Sequence, residues 1–140
     1  MKQIRIFILS MVLLIAAPSA FAQQNLAPRN ESYDVFIPIA KYIRQGDAEK
    51  LSAWFADNLE ITVLSSSNDA SRSQAKQIVK SFFDSHTPRS FEITHAAGKA
   101  TMKYALGQLN AGGEVYGVTI FVNCKDKSYH IQQLKIEKTE

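Results

Sequence analysis

The chain has 140 residues, with 16 Lys and Arg against 13 Asp and Glu, one Cys and one Trp. That length supports one hydrophobic core and not two, and a lone Cys excludes an intrachain disulfide, so packing must supply the stability. Two of the 16 basic residues, Lys2 and Arg5, belong to a leader; without them 14 basic face 13 acidic residues, a balance of about +1 that gives no reason to expect a nucleic-acid or anionic-membrane partner.

Residues 1–22 read as a cleaved signal peptide. Lys2 and Arg5 precede an apolar run from Ile6 to Ala17, interrupted only by Ser10 and too short to span a bilayer. Ala20-Phe21-Ala22 then gives the small-x-small motif of a cleavage site, so the cut is expected between Ala22 and Gln23. The expected localisation is therefore exported, periplasmic in a cell with an outer membrane or otherwise secreted. No Cys near the cut suggests a lipid anchor, and nothing holds the chain in a membrane after cleavage. Residues 23–31, polar and containing Pro28, read as a flexible lead-in, and residues 32–140 as one domain.

Within that domain, Phe36, Ile37, Ala40 and Ile43 recur at helical spacing. Pro38 implies that this helix either starts near it or bends there. Gly46 suits a left-handed C-terminal residue and Asp47 the N-cap of a second helix, predicted to run to about Phe55 with Leu51, Trp54 and Phe55 on its apolar side. Leu59 to Leu64 is a strand signal, and Ser65 to Ala70 reads as a polar loop. Ser71-Arg72-Ser73-Gln74 is a capping box, after which Ala75, Ile78, Val79, Phe82 and Phe83 form one helical stripe. Arg72, Lys76 and Lys80 occupy the other face, as expected of a solvated side. His86-Thr87-Pro88 ends the helix.

The remainder is a meander of four strands: Ser90 to His95, then three runs between Lys103 and Glu137 separated by Ala111-Gly112-Gly113 and Lys125-Asp126-Lys127. Alternation places Phe91, Ile93 and His95 on one face of the first strand, and Tyr104, Leu106 and Gln108 together on the next. In the third strand Tyr116, Val118, Ile120 and Val122 oppose Val115, Gly117, Thr119 and Phe121. Both faces are thus apolar, which predicts helices on one side and a second subunit on the other. Cys124 continues the first of those rows and reads as a small hydrophobe. In the last strand Tyr129 and Ile131 have one parity and Leu134 and Ile136 the other, so a bulge is predicted at Gln132-Gln133.

The string Gly46-Asp47-Ala48-Glu49-Lys50-Leu51 through Trp54-Phe55-Ala56-Asp57-Asn58-Leu59-Glu60, the helix of Ile78, Phe82 and Phe83, and the long meander resemble the nuclear-transport-factor-2-like superfamily, with its cystatin-like α+β cone. The leader and the closing Ser128-Tyr129-His130-Ile131-Gln132-Gln133-Leu134-Lys135-Ile136-Glu137 are similar to a small exported bacterial family of unknown function within it. The resemblance implies an α+β fold: three N-terminal helices packed on a strongly curved, mostly antiparallel sheet in the order α-α-β-α-β-β-β-β, with room for a central pocket.

Enzymes of this superfamily work from that pocket with an acid or base in an apolar wall and a neighbouring hydrogen-bond donor. The residues that could line such a pocket are Trp54, His95, Tyr104 and Tyr116. A catalytic reading would take His95 or Asp57 as base, Tyr104 or Tyr116 as donor and Trp54 as the apolar wall. Asp57 is better explained as a turn or cap residue and His95 as a half-exposed strand histidine. A pair of carboxylates on the pocket-lining strands is missing, since Glu92 has polar parity and Glu114 adjoins a turn.

His86, His95 and His130 lack metal-ligand spacing, and no nucleophile elbow or phosphate loop is present. No metal or cofactor is therefore expected, and no catalytic residue is assigned. The best-fitting reading is a non-catalytic binding or accessory module that engages a small apolar ligand or a protein and dimerises through its sheet. The alternatives are a cofactor-independent lyase or isomerase of the ketosteroid-isomerase or polyketide-cyclase type, and a purely structural dimerisation domain.

Overall fold

The computed structural model describes residues 32–139. The signal peptide and lead-in expected over residues 1–31 lie outside the described residues.

Helix α1 spans Phe36–Gln45, with Phe36, Ile39, Ala40 and Ile43 buried. It begins two residues before Pro38, which therefore sits in the first turn, where no intrahelical N–H bond is due and no bend follows. Gly46 ends it with φ 67, its N–H on the Ile43 carbonyl, while the Asp47 N–H reaches Tyr42. This is the glycine-terminated C-cap foreseen at this position. Helix α2, Ala48–Ser52, is capped by the Asp47 carboxylate accepting from the Lys50 N–H at 3.0 Å.

α2 is shorter than predicted. Phe55, expected on its apolar side, instead starts strand β1, Phe55–Val63. The reason lies at the far end of the chain: Phe55 is opposite Ile131, and the Ile131 N–H bonds the Trp54 carbonyl at 2.6 Å. Tertiary pairing has overridden local helix propensity there.

A hairpin through Leu64 and Ser65 leads to β2, Ser66–Ser71, antiparallel to β1. The segment read from sequence as a loop is thus a sixth strand, and the element order is α-α-β-β-α-β-β-β-β. Its Ser and Asn side chains are exposed and only Ala70 is buried, so no hydrophobic alternation betrays it; the backbone ladder and the Thr62–Ser67 hydroxyl contact at 2.7 Å hold it. A short polar strand at a sheet edge discourages edge-to-edge pairing with other chains.

Helix α3, Arg72–Ser85, has both halves of the Ser71–Gln74 capping box and buries Ala75, Val79, Phe82 and Phe83. Strands β3 (Pro88–Gly98), β4 (Met102–Ala111), β5 (Glu114–Lys125) and β6 (Ser128–Lys138) complete the chain. The sheet order is β2-β1-β6-β5-β4-β3, and only the β1–β6 pair is parallel.

Two register shifts decide which side chains face the helices. In β6, Phe121 is opposite Gln133 and Val122 opposite Ile131, so Gln132 is the extra residue of a bulge where the parity change foretold one. Tyr129 before it, and Leu134 and Ile136 after it, can then all pack on the core. In β3, Ile93 is opposite Gly107 and His95 opposite Leu106, so Thr94 is an extra residue whose hydroxyl donates to the Leu106 carbonyl at 3.2 Å. That second bulge was not foreseen, and it turns His95 to the side opposite Phe91.

The space between the concave face and the helices is filled. Phe55, Phe82, Phe83, Phe91, Leu109 and Tyr116 are all buried there with the aliphatic residues of β5 and β6. Each such side chain contributes on the order of 2 kcal/mol through burial.

Candidate functional site

With the interior occupied, concave surface is confined to grooves on the outside of the core, and two of them contain inward-row or stacked side chains of the sheet. The first is a groove of about 640 Å³ at the C-terminal end of α3, lined by Leu64, Ser65, His86, Gly112, Glu114 and Tyr116 among others. His86 caps α3. Its ring stacks on Phe82 at 4.4 Å, and its Nδ1 lies 3.1 Å from the Phe82 carbonyl oxygen. Tyr116 meets Phe82 edge-on at 5.3 Å and His86 at 5.8 Å, so three aromatic rings brace this end of the core. Glu114 is paired with Lys138 at 3.2 Å.

The second is a groove of about 700 Å³ at the start of α1 and the β5–β6 turn, lined by Val35, Pro38, Trp54, Lys103, Tyr129 and His130 among others. Lys103 is its unusual member. It stands on β4 in register with the inward residues Ala105, Gly107, Leu109 and Ala111, and is only 4% exposed. Its ammonium donates to the Ser32 carbonyl and lies 5.1 Å from the Tyr129 ring centroid and 5.5 Å from that of Tyr33. Tyr129 is fixed in turn by its hydroxyl on the Ala100 carbonyl at 2.8 Å.

The four residues singled out from sequence are thus distributed over three places. Trp54 lines the Lys103 groove and Tyr116 the His86 groove. His95 and Tyr104, by contrast, lie on the convex face with rings 5.9 Å apart, and Tyr104 continues to Phe121 at 5.5 Å. For His95 the cause is the Thr94 bulge. For Tyr104 it is strand parity: Lys103, Ala105, Gly107, Leu109 and Ala111 take the concave side of β4, Gly107 against the Phe91 ring, and Tyr104 and Leu106 alternate to the other side. Asp57 is an exposed ion-pair partner of Arg72 at 3.0 Å, and Arg72 also donates to the Phe55 carbonyl at 3.2 Å.

Sequence reasoning missed Lys103 and His86. For Lys103 a signal was available, because a lysine in phase with Ala105, Leu109 and Ala111 occupies a core position of its strand. For His86 there was none beyond its place at the end of a helix.

Among the described residues, no cluster of three or more His, Cys, Asp or Glu is arranged to hold a metal ion, and no helix is long and apolar enough to cross a membrane. Cys124 is a free, half-buried thiol.

Comparison with known proteins gives a family and a fold. A family model described as a domain of unknown function, DUF4783, matches residues 19–137. A DUF4783 family protein from Bacteroides uniformis has a similar structure, with 21% identity, TM-score 0.71, and 74% of this chain and 95% of that chain covered. A domain with a cystatin-like fold from Nostoc punctiforme aligns at 12% identity and TM-score 0.60, over 74% of this chain and 72% of that one. A designed protein of the nuclear-transport-factor-2 type aligns at 14% identity and TM-score 0.60, over 74% and 93%. The resemblance drawn from the sequence thus holds at the level of fold: an α+β domain with a curved, mostly antiparallel sheet. No curated protein matches the chain.

Proposed function

The chain belongs to the DUF4783 family of domains of unknown function, and we propose that it is an exported, non-catalytic binding module that works as a homodimer through the convex face of its sheet. The observation that carries this reading is the character of that face. Tyr104, Leu106, Val115 and Phe121 stand on it part-exposed, with Leu106 and Val115 each 38% accessible. Of its charges, Lys135 and Glu137 are of opposite sign and paired at 3.6 Å, and Glu60 and Glu92 stand on the flanking strands.

A second copy is the occupant that fits. A two-fold contact sets a surface against itself, which is tolerable only where like charges do not meet, and the centre formed by Tyr104, Leu106, Val115 and Phe121 carries none. A specific dimer of this kind needs roughly 1,200–2,000 Å² of buried surface.

Against chemistry in an interior pocket stands the packed core, together with the separation of His95 and Tyr104 from Trp54 and Tyr116. The test is light scattering on the purified chain at about 10 µM, a concentration that populates any dimer of micromolar affinity. A dimer is expected, with Leu106→Lys and Val115→Lys each giving a monomer of unchanged circular dichroism. A wild-type monomer, or a dimer indifferent to both substitutions, would refute the reading.

A further inference from the structure

Lys103 is the one ionised side chain buried among the described residues, and its surroundings are unusual for a structural lysine. An ammonium taken out of water costs several kcal/mol unless an anion and hydrogen bonds replace the solvent. Here the compensation is one backbone carbonyl, that of Ser32, and the faces of two tyrosine rings. Among the described residues no carboxylate comes within ion-pairing distance of it, although five other ion pairs form on the surface. Among the described residues its three ammonium protons therefore share one full acceptor.

The groove around it has two further properties. Val35, Pro38 and Trp54 supply an apolar wall beside the ammonium. The other formal charges lining the groove are Lys127 and Asp34, which together with Lys103 leave a balance of one positive charge. A single excess cation beside a flat apolar wall suits a ligand with one negative charge and an apolar body; a dianion or a polyanion would bring excess charge toward Asp34.

We propose that this groove binds a small organic monocarboxylate, whose carboxylate takes the free protons of Lys103 while its aromatic or short acyl body lies against Trp54. The inference rests on the binding-module reading but not on the dimer, since Lys103 opens to the concave side and Leu106 and Phe121 to the convex one.

Trp54 is the only tryptophan in the chain, so its emission reports this groove alone. Titration of the full chain with benzoate, phenylacetate and hexanoate is expected to give a saturable change in Trp54 fluorescence. The neutral isosteres benzamide and hexanamide should bind at least about tenfold more weakly, the usual worth of one charge-assisted hydrogen bond. Lys103→Met, which keeps the length and removes the charge, should erase the preference for acid over amide, and Lys103→Arg should retain part of it. If Lys103→Met fails to fold, the comparison of acid with amide on the wild-type chain decides the matter alone. Equal response to acids and amides, or no saturable response to any acid up to about 10 mM, the weak end of specific recognition, overturns the proposal. Light scattering on the same samples separates this outcome from failure of the dimer.

Discussion

The ring of Phe91 lies where a side chain at Gly107 would stand: a methyl group added there would come within 2.5 Å of the Phe91 Cζ and 2.9 Å of the Glu92 carbonyl oxygen. Gly107 is opposite Ile93, immediately before the Thr94 bulge, so the aromatic ring covers the glycine at the point where the sheet changes register. Gly107→Ala should therefore cost about 1–3 kcal/mol, as overpacking of a tight core site does. A drop of several degrees in the thermal midpoint is the expected result, and an unchanged midpoint would show that Phe91 can move aside freely.

The β5–β6 turn places Asp126 and Lys127 at φ 54 and 65. Both values lie in the left-handed region, which two-residue hairpins need and which a lysine adopts at a cost. Lys127→Gly gives the Asp-Gly pair that this turn geometry favours and should raise stability by about 1 kcal/mol in denaturant unfolding. Destabilisation on that substitution would mean that the lysine side chain contributes more than its backbone strain costs.

Gln132 is the residue without an opposite partner in β6. Its deletion would force either Tyr129 and Ile131 or Leu134 and Ile136 away from the core, because strand side chains alternate with period two. The expected outcome is loss of the cooperative melt, whereas Gln132→Ala, which keeps the bulge, should melt within about 0.5 kcal/mol of wild type. A deletion that melts like wild type would mean the register slips without penalty.

At the start of α3, the Ser71 hydroxyl accepts from the Gln74 N–H at 3.2 Å, and Gln74 Oε1 accepts from the Ser71 N–H at 3.0 Å. Ser71→Ala should lower stability by about 1 kcal/mol, while Ser71→Asp should largely preserve it. Equal loss from both substitutions would argue that Ser71 matters to β2 rather than to the cap.

The two bulges explain how much of the fold could be read from the chain. At Gln132 large apolar residues on either side have opposite parity, so the sequence itself carries the phase change. At Thr94 the following residues are His95, Ala96 and Ala97, and two small residues in succession give no hydrophobic signal to fix the phase. Parity continued from Phe91 and Ile93 then put His95 on the wrong face. β2 was illegible for a related reason, since a strand held by its backbone ladder with four exposed polar residues has no alternation to detect. Trp54 and Tyr116 were legible as pocket-lining aromatics, but their assignment to two different grooves depends on pairings between distant parts of the chain, such as Phe55 with Ile131.

Strand β6, made after the other five, stands third in the sheet and among the described residues is the only strand linking the β1–β2 hairpin to β5. Ribosomal order and spatial order therefore conflict. Until Ser128 to Ile136 have emerged, the inward row of β1, Phe55, Leu59 and Ile61, has no strand beside it on that side, and half the core cannot close. Completion of the fold must wait for β6, and contacts between segments about 70 residues apart make that step slow relative to helix formation. The β1–β2 hairpin and the β3–β5 meander are thus two halves with one seam, and whatever loosens β6 parts them together.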